Sequence, residues 1–295
     1  MKRRQILAAG AVLLISLSAA TVSDGNSGQN YSLSYASNST STITPKALTI
    51  TGITAADKVY NGLTSATVST AGVTNSVLQA NGLLAGDTIT VSATGNFRNA
   101  ANTANDKNAG NAKTVALSST YGGADVGNYA ITGQTTTSAN ITPKLLSAAL
   151  VGSIQKTYDG NTSATLTSGN FSLNGFVTVG GVTEGASVTQ RVGVYNDRNV
   201  LTANSVSTTL ASGDFTASSG TSLSNYTLPT SATGAIGTIT KAPLSVTASN
   251  ASKTYDGAVF LGGNGVTYSG FVNNETSAVL GGTLGYAGTS QNAKN

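Results

Sequence analysis

The chain has 295 residues, 39% hydrophobic and 9% charged, enough for two or three domains of about 100–150 residues and too apolar for a charged disordered tail. It holds no Cys, His or Trp, which excludes disulfides, thiolate chemistry, ordinary zinc sites and the Ser-His-Asp and Cys-His pairs of nucleophilic catalysis. Three of its 15 basic residues are Lys2, Arg3 and Arg4; the other 12, scattered singly, face 11 acidic residues, which is not the footprint of a nucleic-acid binder.

Residues 1–20 join a basic start to an apolar stretch ending in Ser18-Ala19-Ala20. That is the grammar of a cleaved secretory signal, too short in its apolar part to span a membrane. The competing reading is an internal strand that happens to follow Met1.

Past this segment the chain repeats itself. Ile43-Thr44-Pro45-Lys46 returns at Ile141-Thr142-Pro143-Lys144 and, with one insertion, at Ile239-Thr240-Lys241-Ala242-Pro243, spaced 98 residues each time (141 − 43 and 239 − 141). Asn30-Tyr31 returns at Asn128-Tyr129 and Asn225-Tyr226, and Lys58-Val59-Tyr60-Asn61-Gly62 at Lys156-Thr157-Tyr158-Asp159-Gly160 and Lys253-Thr254-Tyr255-Asp256-Gly257. The period is that of a domain, longer than a solenoid coil. Residues 21–44 are expected to be the remnant of a preceding repeat, 45–142 repeat A, 143–242 repeat B and 243–295 an incomplete repeat C. Opening and closing in mid-repeat is what a piece of a longer array would do.

Within each repeat the pattern is that of strands. Leu48-Thr49-Ile50-Thr51, Thr88-Ile89-Thr90-Val91-Ser92, Lys113-Thr114-Val115-Ala116-Leu117 and Leu244-Ser245-Val246-Thr247 alternate apolar and polar residues, as half-buried strands do. Asn-Gly or Asp-Gly after the turn tyrosine predicts a hairpin turn with glycine at positive φ. No stripe of helical period occurs beyond residue 20. Pro45, Pro143 and Pro243 fall at the repeat junctions, where proline stiffens the link and interrupts strand pairing.

Lys156-Thr-Tyr-Asp-Gly-Asn-Thr-Ser-Ala-Thr-Leu166, with Ile-Thr-Pro-Lys ahead of it and Asn-Tyr closing the unit, resembles the YDG-type repeat of large bacterial surface proteins. Residues 244–282, with Lys253-Thr-Tyr-Asp-Gly and a Gly-rich continuation, are similar to the mostly-β MBG-type module. Both occur in filamentous-haemagglutinin-like exoproteins and other adhesins. The resemblance covers residues 21–295 and implies a secreted or surface-displayed adhesin with no catalytic residues. The sequence departs from the pattern at Asn61, where Asp is usual, and lacks the secretion and anchoring regions of such proteins.

The candidate site is the turn motif itself: Tyr60, Asn61, Gly62; Tyr158, Asp159, Gly160; Tyr255, Asp256, Gly257. Asp159 and Asp256 could serve as metal ligands or catalytic acids, but Asn61 fills the same slot, and an amide makes the turn without being able to act as a general acid. Tyr121-Gly122-Gly123-Ala124-Asp125 offers one carboxylate, short of the six to eight oxygens of a calcium site. Lys58, Lys156 and Lys253 read either as partners of a Lys–Asn isopeptide bond or, as favoured here, as surface lysines guarding a strand edge. The tyrosines are expected to pack at a sheet edge with their hydroxyls on backbone; a sugar platform built on Tyr31, Tyr129 and Tyr226 is the weaker case. Eleven acids spread singly offer no glycosidase pair.

The expectation is therefore an all-β chain of tandem sandwich-like modules of Ig-like or Greek-key order, with a β-grasp-like alternative for repeat C. It is expected to be non-enzymatic, without cofactor or metal: a stalk segment of an adhesin, secreted or held at the bacterial surface in association with the outer membrane. The alternative is a module whose repeats bind a host or matrix glycan or protein. Nucleic acid is not an expected partner, and no membrane span beyond the signal segment is expected.

Overall fold

A computed structural model describes residues 12–15, 21–34 and 38–285. The chain divides after Lys144 into two compact units, Met1–Lys144 and Leu145–Asn295. Among the described residues nearly all regular structure is strand, so the class is all-β. The α-helix is Asn75–Ala80, capped by the Thr74 hydroxyl, which accepts from Val77 N–H, and anchored by buried Leu78. Six residues are too few to show a helical stripe, so pattern reading passed over it.

In the first unit, one mixed sheet of five strands runs in the order Lys58–Val59, Thr136–Thr142, Gly110–Gly122, Thr90–Phe97, Ser65–Ala66. Its strands form for the local reason the alternation predicts: along Thr90–Phe97, Gly95 and Phe97 are buried while Thr94 and Asn96 are exposed. The two edge strands are joined by only residues 60–64, and Lys58 Nζ donates to Ser65 O at 3.0 Å. The sheet is curled until its edges meet at the Tyr-Asn-Gly turn. This corrects the hairpin expectation, because the strands flanking the turn pair with other strands and not with each other. Turn residues report that the chain reverses; they do not report its partners.

Closure of the unit is parallel. Lys58 lies opposite Ile141 in a parallel pair, and Lys46–Thr49 pairs in parallel with Tyr129–Thr132. Leu48, Ile50, Ile53, Leu78, Leu83 and Ile89 fill one core beneath the latter pair.

The second unit repeats the closure in the same register: Ile154–Thr157 runs parallel to Gly237–Thr240, with Lys156 opposite Ile239, each partner 98 residues after its counterpart (156 − 58, 239 − 141). Ser163–Thr165, Val192–Tyr195, Val206–Thr209 and Ser231–Gly234 form an antiparallel sheet. Leu150, Leu166, Val188, Tyr195, Val206 and Ile239 lie at the centre of its core. Beyond Pro243 the described residues make one antiparallel pair, Ser245–Ala248 with Val266–Ser269, and a 3₁₀ turn, Ser277–Val279.

Val12–Ile15 pairs antiparallel with Asn38–Thr42, as Gly110–Gly122 pairs with Thr136–Thr142 one period later. Residues 1–11 and 16–20 of the signal-like segment lie outside the described residues. Among the described residues no helix is long and apolar enough to cross a membrane.

Candidate functional site

The three turn glycines, Gly62, Gly160 and Gly257, have φ of 76°, 78° and 73°, a region L side chains enter only with strain. The lysine four residues before each glycine folds back over its own turn. Lys58 Nζ donates to Asn61 Oδ1 at 3.0 Å and to Leu63 O at 2.6 Å. Lys156 Nζ donates to Asp159 Oδ1 at 2.7 Å and to Asn161 O and Oδ1, both at 2.8 Å. Lys253 pairs with Asp256 at 2.7 Å and donates to Ala258 O.

These lysines cap their turns, because a long stem can curl onto carbonyls the turn leaves unpaired, and Lys58 does so from a strand at the edge of its sheet. The ammonium also stacks on an aromatic ring, Lys58 at 5.1 Å from the Phe97 centroid and Lys156 at 5.5 Å from that of Tyr195. Burial lowers the pKa of Lys58. The Lys156 hydrogen bond lowers that of Asp159, and Lys253 does the same for Asp256. The Lys–Asn approaches an isopeptide would require, Lys58 to Asn61 and Lys156 to Asn161, are hydrogen bonds to the amide oxygen on exposed turns.

A second constellation escaped the sequence reading. Tyr129 Oη accepts from Leu84 N–H at 3.0 Å and donates to Asp87 Oδ2 at 2.6 Å. Tyr226 Oη accepts from Val177 N–H at 3.1 Å and donates to Glu184 Oε2. A buried phenol is thus satisfied both as donor and as acceptor in each unit. The signal that could have revealed the acids is their offset, 42 residues before the tyrosine in both cases. Tyr129 and Tyr226 are 7% and 5% exposed while Tyr31 is 63% exposed, so these three do not form a repeating surface platform for sugar.

The remaining carboxylates are also engaged. Asp125, in the Gly-rich loop, accepts from Thr88 N–H at 2.8 Å and from its hydroxyl at 3.3 Å. Asp57 accepts from the backbone and side chain of Asn140, and Asp106 pairs with Lys113 at 2.5 Å. Among the described residues no three His, Cys, Asp or Glu side chains gather as a metal would require.

The turn tyrosines differ from one another. Tyr60 is 1% exposed and Tyr255 is 66% exposed. Tyr158 donates to Glu275 Oε1 at 2.6 Å. Beside it lies a cleft of about 250 Å³ whose walls include Val200, Lys241, Leu244, Phe271 and Val272.

The model of the YDG domain family matches residues 44–138 and again 142–234. No curated protein and no solved structure matches the chain.

Proposed function

Because the chain belongs to the YDG domain family and carries two tandem copies of that domain, we propose that it is a non-enzymatic stalk segment of a filamentous-haemagglutinin-like bacterial adhesin, secreted or displayed at the outer-membrane surface. One observation carries the proposal: the strand that closes the first copy ends at Thr142 and the next strand begins at Lys144. Pro143, a residue of fixed φ, alone separates them in the chain. The clamps and turn caps support the same view, since they spend carboxylates, phenols and ammonium groups on holding the units together.

Small-angle scattering tests the proposal. A compact globule of this length has a radius of gyration of about 19 Å; a stalk segment returns a clearly larger value, and a value near 19 Å overturns the reading. Secretion through residues 1–20 is tested by intact mass of the exported protein, where loss of those residues supports a signal. Their retention would mark Val12–Ile15 as a repeat strand.

A second reading, in which the repeats themselves bind a host or matrix glycan or protein, draws on the cleft beside Tyr158 and Phe271. Saturable binding of the chain to a glycan or matrix array, lost in Phe271→Ala, would favour it over the stalk.

A further inference from the structure

The motif Lys156-Thr157-Tyr158-Asp159-Gly160 divides its labour. Lys156 and Asp159 face each other and stabilise their own turn. The Tyr158 ring packs against the second copy's core, while its hydroxyl and Gly160 meet the segment that follows the second copy. The Tyr158 hydroxyl finds its partner 117 residues on, at Glu275, whereas Tyr129 and Tyr226 reach acids of their own copy. The Glu275 hydrogen bond, followed by burial, raises the pKa of Tyr158, as donation to a carboxylate requires.

Gly160 is nearer still. A Cβ built on it would run into the side chain of Asn273. Asn273 and Asn274 hold φ of 53° and 60°, a left-handed pair that Asn tolerates better than most residues. That conformation forms the tip of the loop meeting Gly160. The cleft is lined by Tyr158 and Val200 of the second copy and by Leu244, Phe271, Val272 and Val279 of the segment that follows it.

The third turn supplies an internal comparison. Gly257 has nearly the same φ as Gly160, 73° against 78°, but a Cβ at Gly257 would meet nothing within 4 Å. Backbone conformation is common to both glycines; the occupied space is particular to Gly160.

We propose that the Tyr-Asp-Gly turn of the second copy is the seat on which the following segment docks: Gly160 leaves room for the Asn273–Asn274 tip and Tyr158 latches Glu275. The partner this surface fits is the next module of the same chain, presenting a tight Asn-Asn-Glu turn. The seat sets the orientation between successive modules, and it would exist whether those modules act as a stalk or as binders.

The test uses the full chain. With no native cysteine, Thr165→Cys and Ser269→Cys place spin labels at two exposed strand positions, one in the second copy and one in the segment that follows it. Pulsed dipolar spectroscopy of this parent should return one narrow distance. Tyr158→Phe should broaden it, and Gly160→Ala should broaden it further. Gly257→Ala, which imposes the same backbone strain in open space, should leave it as narrow as in the parent. Circular dichroism checks that each variant is folded; if Gly160→Ala is not, Tyr158→Phe decides alone. A parent that is already broad overturns the seat. So does a Tyr158→Phe distance as narrow as the parent's, or equal broadening by Gly160→Ala and Gly257→Ala.

Discussion

Lys156 and Asp159 meet at 2.7 Å across a turn they both belong to, with 17% of the lysine side chain and 44% of the aspartate side chain exposed. In the first copy the same span is bridged by Lys58 and the uncharged amide of Asn61, at 3.0 Å. The lysine and its donors are therefore the constant of the motif, and the negative charge is dispensable.

It follows that Lys156→Met, which keeps the stem and removes the donors, should cost the second copy about 1 kcal/mol. Asp159→Asn should stay within about 0.5 kcal/mol, as solvated ion pairs generally do. Urea denaturation measures both. Equal losses from the two substitutions would give the carboxylate a task beyond the turn.

Acid should destabilise the protein, and near-neutral pH changes should not. Asp57 is held below its ordinary value of 3.8 by the Asn140 N–H, Asp159 by Lys156, Asp197 by Thr202 and Asp256 by Lys253. A carboxyl whose folded pKa is depressed contributes stability that is present above its unfolded pKa and lost as pH falls through the folded value. With no histidine in the chain, the thermal midpoint should be flat between about pH 5 and 8 and should fall below about pH 4. A step in midpoint near neutrality would contradict this.

Two glycines outside the Tyr-Asn-Gly and Tyr-Asp-Gly turns should behave in opposite ways. The φ of Gly234 is ordinary, but a Cβ there would collide with the carbonyl oxygen of Leu150. Gly234→Ala should cost about 1–3 kcal/mol, the usual penalty for overpacking. Gly213 has open space around it, so Gly213→Ala should lie within about 0.5 kcal/mol of the parent. Comparable losses at both sites would mean that backbone entropy, not packing, decides.

Residues 143–242 produced alone should fold. Every member of the second unit's main core lies between Ala148 and Ile239, so the apolar contacts that drive cooperative unfolding are all inside that span. A cooperative thermal transition with a β-type circular dichroism spectrum is the expected result. A gradual, non-cooperative melt would show that the core depends on residues beyond 242.

What could be read from residues alone was local. Alternation in stretches such as Thr90–Phe97 marks a strand with one buried face, because side chains on a pleated backbone point to opposite sides in turn. Asn-Gly and Asp-Gly mark reversals, because they tolerate backbone angles other residues resist. Recurrence at 98 residues marks copies of one domain, since a repeated pattern must solve the same packing problem twice. Partner choice was decided only by tertiary structure. Nothing near Lys58 announces a parallel pairing at Ile141, nothing near Gly234 announces the Leu150 carbonyl, and Tyr158 and Glu275 are joined across 117 residues. Strand pairing and hydroxyl clamps depend on which surfaces the closed sheets bring within hydrogen-bonding reach, and one segment's own periodicity carries no record of that. Only the matched offset of 42 residues from Asp87 to Tyr129 and from Glu184 to Tyr226 left a trace in the sequence, because both copies close over the same distance along the chain.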